Sequence, residues 1–199
     1  IVFFILSLLL SYLILKNLNA NFLINTFLVG SAFYLFFATI RDFFVKKINR
    51  ISQNLSHFGF SLLILSILFN NIFSSEVITN LKVGEKFDNG KFKIEFNDLK
   101  KIEKQNFTSF KGFFLITDQD VKNEFNPELR VYNQPRIITS EADIKTSFFK
   151  DKFITMNTLQ NEEYFNIRYQ VKPFMLWIWM SVLIISFGGI ISLFSKRSG

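Results

Sequence analysis

Cysteine is absent from the 199 residues, histidine occurs once and proline three times. Without cysteine there is no disulfide and no thiol nucleophile. One histidine cannot by itself build a Cys/His zinc site. A Ser-His-Asp arrangement would have to use His57, which lies inside an apolar run. Acid is scarce outside the middle of the chain. Residues 74–172 hold 15 of the 16 Asp/Glu together with 16 of the 23 Lys/Arg. Elsewhere Asp42 stands alone against Lys16, Arg41, Lys46, Lys47, Arg50, Lys196 and Arg197. The net charge of +7 therefore flanks apolar segments and forms no basic face on a soluble domain. That pattern argues against nucleic-acid binding and for membrane topology.

What is abundant is apolar: 49% of residues are hydrophobic and 28 are Phe, too much for a disordered chain. Four apolar runs stand out, at residues 1–15, 22–40, 51–73 and 174–194. A spanning helix needs about 20 residues, at about 1.5 Å each, to cross a hydrocarbon core of about 30 Å. The first residue is Ile and already sits in an apolar run, so the chain reads as the C-terminal piece of a longer protein whose first span is cut short. A signal peptide fits that run poorly, because no basic segment precedes it and a short loop leads into another span. Four spans are expected. The basic stretch at 41–50 and the tail at 195–199 should face the cytoplasm, or the matrix in a mitochondrion. Residues 74–172 then lie on the opposite side. The localisation expected is a multi-pass protein of the bacterial or mitochondrial inner membrane, in contact with lipid.

Between the third and fourth spans the pattern changes to period two. Phe92, Ile94 and Phe96 alternate with Lys91, Lys93 and Glu95, and Asp88-Asn89-Gly90 just before them is a hairpin turn signal. Phe165, Ile167, Tyr169 and Val171 alternate with Asn166, Arg168 and Gln170. Phe113-Phe114-Leu115-Ile116-Thr117 reads as a central strand. Residues 140–149 read as a short helix, with Ser140 as cap and Asp143 at its third position. The fold class expected is a transmembrane helical bundle carrying an inserted β-rich domain, a small barrel or sandwich. The domains run 1–73, 74–172 and 173–194, followed by the tail.

His57 is the residue most open to a chemical role. Arg50, Gln53, Asn54, His57 and Ser61 fall on one helical face, with Leu55, Phe58, Leu62 and Leu63 opposite. Polar residues in a span are expected to face the bundle interior. His57 lies about two turns, roughly 10 Å, inside the last basic residue. Gly59 beside it would let a large planar group approach. Three readings stand at this point: an axial haem ligand through neutral imidazole, a packed polar residue bonded to a neighbouring helix, and a proton relay. Trp177 and Trp179, after Lys172-Pro173-Phe174, read as an interfacial aromatic belt with Pro at the helix start. Gly188-Gly189 suits close helix packing. No carboxylate pair among the acids of 74–172 stands out as catalytic.

Several segments together resemble a known family. Ser56-His57-Phe58-Gly59 opens a span, and a small outer domain follows. Lys172-Pro173-Phe174-Met175-Leu176-Trp177-Ile178-Trp179 closes it. Between them come Leu81-Lys82-Val83-Gly84-Glu85, Pro127-Glu128-Leu129-Arg130-Val131-Tyr132, Ser140-Glu141-Ala142-Asp143-Ile144 and Lys150-Asp151-Lys152-Phe153, with Arg168 four residues before Lys172. In order and spacing these resemble the C-terminal part of CcmF, the haem lyase subunit of cytochrome c maturation. The likeness covers about residues 50–197. It implies a protein that helps join haem to apocytochrome c outside the cytoplasm. Its partners would be a haem chaperone, CcmH/CcmI-type subunits and apocytochrome c. It also implies a haem b in the bundle, with His57 at the position of one of two axial ligands. The family's Trp-Trp-Asp segment and its flanking histidines are absent from these residues, and Leu176 stands where an Arg is common. Lyase activity is therefore not expected of this piece alone. The rival reading is a non-enzymatic, membrane-anchored assembly factor whose β-rich domain binds a partner protein. A transporter is disfavoured, since no paired broken helices appear.

Overall fold

In the computed structural model, residues 2–17, 22–45, 51–118, 121–158 and 163–194 are described. The basic residues Lys46, Lys47, Arg50, Lys196 and Arg197, on which the orientation argument rests, lie outside them. Two compact units are present. One comprises Ile1–Phe73, Phe148–Lys150 and Pro173–Gly199; the other comprises Ser74–Ser147 and Asp151–Lys172.

The helical unit contains α1 (Val2–Leu15), α2 (Phe22–Val45), α3 (Ile51–Phe73) and α4 (Met175–Phe194). Three of these, α2, α3 and α4, are long and apolar enough to cross a membrane. At 14 residues, α1 reaches about 21 Å and falls short of a core of about 30 Å. The core gathers Leu15, Val29, Ala32, Phe33 and Leu65, with Phe36 and Phe69 packed against it. Two hydroxyl bonds tie neighbouring helices together: Ser11 donates to the Thr26 carbonyl at 2.8 Å and Thr39 meets Ser61 at 2.9 Å. In an apolar medium an unpaired polar group costs several kcal/mol (order ~2–7), so such bonds hold helices together.

Helices α3 and α4 meet at two glycines. A Cβ on Gly59 would lie 2.8 Å from Ile185 Cγ1 and 3.0 Å from the Ile185 backbone nitrogen. On Gly188 it would lie 2.9 Å from both the Ser52 carbonyl and the Ser56 nitrogen. Small residues at these points let the two backbones approach, as in other membrane helix pairs. Gly189 faces open space instead. At the end of the pair, Asn70 Nδ2 donates to the Pro173 carbonyl at 2.5 Å.

The second unit is a sandwich of two antiparallel sheets. The strands are β1 (Ser75–Leu81), β2 (Lys86–Asp88), β3 (Phe92–Glu103), β4 (Phe107–Asp118), β5 (Val121–Phe125), β6 (Glu128–Tyr132), β7 (Ile138–Glu141), β8 (Asp143–Thr146), β9 (Lys150–Thr158) and β10 (Phe165–Pro173). One sheet has the order β1-β10-β9-β8; the other runs β2-β3-β4-β6-β7, with β5 also on β4. As the alternation predicts, Phe92, Ile94 and Phe96 are buried on one face of β3, and Phe165, Ile167, Tyr169 and Val171 on one face of β10. The turn at Asn89-Gly90 forms too: Gly90 has φ +79°, and Asn89 Oδ1 accepts the Lys91 and Phe92 amides. Strand β4 is central, paired with β3 on one side and with β5 and β6 on the other.

The helix expected at 140–149 does not form. Strands β7 and β8 occupy residues 138–141 and 143–146, paired with β6 and β9. The two residues read as caps bond elsewhere. Ser140 Oγ donates to the Met156 carbonyl at 2.8 Å, and Asp143 Oδ2 accepts the Asn126 amide at 2.6 Å. Ile138, Thr139, Ile144 and Thr146 are β-branched and suit a strand; with cross-strand partners available, a two-residue cap signal loses.

Gly188→Leu should cost the helical unit about 1–3 kcal/mol through forced overpacking. Gly189→Ala, with nothing beside it, should be neutral or gain about 0.5–1 kcal/mol. Thermal unfolding of the two variants in detergent measures the difference.

Candidate functional site around His57

Helix α3 presents three faces. Toward α2 it turns Asn54, Phe58, Ser61 and Leu65. Asn54 Nδ2 donates to the Asp42 carbonyl at 3.3 Å, Ser61 meets Thr39, and the Phe58 ring lies 5.5 Å from Phe36 and 5.8 Å from Phe43. Toward α4 it turns Ser52, Ser56 and Gly59. The third face carries Gln53, His57, Phe60, Ile67 and Asn71, all exposed. Their spacing of 4, 3, 7 and 4 keeps them within one stripe along the helix. Among the described residues, no hydrogen bond or ion pair engages the His57 imidazole.

This divides the polar face read from the sequence. Asn54 and Ser61 are buried, at 4% and 0% exposure, while Gln53 and His57 point away from the packed helices. The cause is angular. Gln53 and Asn54 are separated by about 100° on a helix, and α2 covers only the Asn54 edge. Gly59 was expected to admit a planar group beside His57. It is instead buried against Ile184 and Ile185 of α4, so its missing side chain serves helix packing. Nothing in the sequence distinguishes these two uses of a glycine, because the partner lies more than a hundred residues away.

Trp177 and Trp179 sit on the first turns of α4. Trp177 Nε1 donates to the Phe148 carbonyl at 3.0 Å, and Trp179 is 63% exposed. Leu176 is half-buried.

In the sandwich, the Pro127-Glu128-Leu129-Arg130-Val131-Tyr132 segment includes all of β6. Pro127 and Leu129 are buried. Glu128 Oε2 accepts from Ser109 Oγ at 3.1 Å and from Arg130 Nε at 3.1 Å. The Arg130 guanidinium lies 5.2 Å from the Phe107 ring, which also packs 5.2 Å from Tyr132. Burial alone would push the Glu128 carboxyl up; the bonds from Arg130 and Ser109 outweigh it and hold the group below its ordinary 4.5. Arg168 pairs with Glu76 across the β1–β10 ribbon, and its guanidinium is the main cause of a lowered Glu76 carboxyl.

Sequence reasoning missed one cluster. Lys152 Nζ lies 2.6 Å from Asp118 Oδ2, and both side chains are nearly buried. The fully buried Tyr169 is pushed up by burial first and by the Asp118 charge second. These residues come from β4, β9 and β10, too far apart in sequence for any local pattern to link them. Among the described residues, no three or more His, Cys, Asp or Glu converge as a metal site.

The family model described as the CcmF C-terminal beta-sandwich matches residues 72–173. The cytochrome c-type biogenesis protein CcmF of Pseudomonas fluorescens is 27% identical over 146 residues, 73% of this chain and 22% of that protein. CcmF of Haemophilus influenzae is 26% identical over 166 residues, 80% of this chain and 26% of that protein. The chain thus spans about a quarter of the length of these curated relatives. A solved structure of the cytochrome c haem lyase CcmF shares the fold, with TM-score 0.70 and 18% identity over 94% of this chain and 33% of that one.

Because the Glu128 carboxyl is lowered on folding, its stabilising effect is complete above about pH 4.5 and is lost as pH falls through the folded value. Glu128→Gln should cost about 1–2 kcal/mol at pH 7. The gap to the unsubstituted protein should narrow as pH falls below about 4.5, as read by thermal unfolding across pH.

Proposed function

Because the chain belongs to the CcmF family, as its C-terminal part, we propose that it works within a cytochrome c maturation haem lyase and that His57 is an axial ligand to a haem b held in the membrane bundle. The observation that carries the reading is the open stripe of α3. The imidazole stands on a face that no other described helix covers, at the position the family resemblance assigns to a ligand. The donor chemistry fits, since a neutral imidazole offers one ring nitrogen to iron. The packed faces of α3 fix the direction of that nitrogen. Asn54 and Ser61 are bonded to α2 and hold the helix against rotation. Gln53, one turn before His57, is the nearest polar group on the same stripe, and Phe60 and Ile67 make the remainder apolar enough to exclude water. The chain holds one histidine, so it supplies one such ligand. When bound there, haem supplies a one-electron redox centre.

In this reading the span-forming helices lie in an inner membrane and residues 74–172 lie on its outer side, where haem is attached to apocytochrome c. A haem chaperone and CcmH/CcmI-type subunits are the partners the activity requires. The sandwich offers them an apolar recess of about 350 Å³ lined by Leu99, Phe110, Leu129, Val131, Ile138, Thr158 and Phe165. That recess also favours a second reading, a membrane-anchored assembly factor without haem, in which His57 holds no ligand.

The two readings separate on one residue. In the full-length protein, His57→Ala should lose most of the haem measured as pyridine haemochrome, while Gln53→Ala keeps it; full haem content in His57→Ala would sink the ligand assignment. Sidedness has its own test. A cysteine introduced by Val83→Cys, at an exposed turn, should react with a membrane-impermeant maleimide from the outer side only. Labelling from the cytoplasmic side would reverse the topology.

A further inference from the structure

The tip of the β8–β9 hairpin is set apart from its two strands. Phe148–Lys150 belong to the helical unit. Two backbone bonds fix the tip there: the Phe148 carbonyl accepts the Trp177 indole N–H at 3.0 Å, and the Phe149 carbonyl accepts the Phe174 amide at 2.8 Å. Phe174, at the junction into α4, holds a left-handed φ of +59°. A bulky residue adopts that conformation only where its surroundings over-determine it. Its ring is clamped 5.2 Å from Phe69.

The tip therefore has a fixed place, yet its own rings are not covered. Phe148 is 58% exposed and Phe149 61%. They stand edge to face, 4.9 Å apart, with Phe148 also 4.9 Å from Trp177. Burying a Phe ring is favourable, so two adjacent rings held outward by backbone bonds call for a covering medium. Their level is the first turn of α4, which in the reading above enters the bilayer. Aromatic rings gather at that depth.

We propose that Phe148-Phe149 is an interfacial lipid anchor, two rings seated at the headgroup–acyl boundary of the outer leaflet beside Trp177. The proposal rests on the membrane reading of α4. Both fixing bonds use main-chain carbonyls, so side-chain substitution leaves them in place.

The test uses the full-length protein in phosphatidylcholine nanodiscs, in a background whose only cysteine is the one introduced. Phe149→Cys, and separately Phe148→Cys, is labelled with an environment-sensitive fluorophore and read with lipids spin-labelled near the headgroup or deep in the chain. Leu183→Cys, exposed on α4, is the reference. Shallow spin labels should cut emission at 148 and 149 to roughly half or less, with deep labels weaker, as interfacial residence requires; Leu183 should respond to the deep label. Quenching at Leu183 with none at 148 and 149 overturns the anchor and leaves the membrane reading standing. A blue-shifted but unquenched label there means that a protein partner covers the rings, and also overturns it. No quenching at any site overturns the membrane reading, and the anchor with it.

Discussion

Gly59 and Gly188 bring α3 and α4 closer than any side chain would allow. Ile185 and the Ser52 and Ser56 backbone fill the space where two Cβ atoms would stand. With that contact fixed, α3 cannot rotate, and its remaining faces acquire their roles. One edge takes Asn54, Ser61 and Phe58 into α2. The last edge, with His57 on it, stays open. The same two chain segments continue beyond the helices: α3 leads into β1 and β10 leads into α4. Strands β1 and β10 pair residue by residue from Ser75↔Val171 to Leu81↔Phe165. The insertion thus starts and finishes on neighbouring strands.

Much of this was legible in the sequence, and for a physical reason. Alternation at Phe92-Ile94-Phe96 and Phe165-Ile167-Tyr169 is a period-two signal, and each strand has one face in a core, so the signal survives folding intact. Uninterrupted apolar length identified α2 and α4 in the same direct way. Family resemblance added what local patterns lack, and the match over residues 72–173 bears it out. The short helix failed because a cap is a weak local preference and strand pairing is a tertiary one. Ser140 and Asp143 found better partners in Met156 and Asn126. Gly59 failed for a related reason: a missing side chain says that something comes close, and not what.

The division of the polar stripe is the more instructive result. A helical face is about 100° wide, and a single neighbouring helix covers less than that. Asn54 and His57, three residues apart, therefore end on opposite sides of a boundary that no single-helix projection contains. The Lys152–Asp118 pair beside Tyr169 was invisible for want of any local pattern at all. Its members meet only because β4, β9 and β10 converge. Removing one partner of such a buried pair typically costs about 3–5 kcal/mol.

The open stripe of α3 is proposed to present His57 to iron. The most direct measurement is electron paramagnetic resonance of the oxidised full-length protein, with His57→Gly compared against the unsubstituted form. The expected result is a low-spin signal that turns high-spin when the imidazole is removed and returns to low-spin when free imidazole is added to fill the vacated place. A low-spin signal unchanged by His57→Gly, at full haem content, would contradict it.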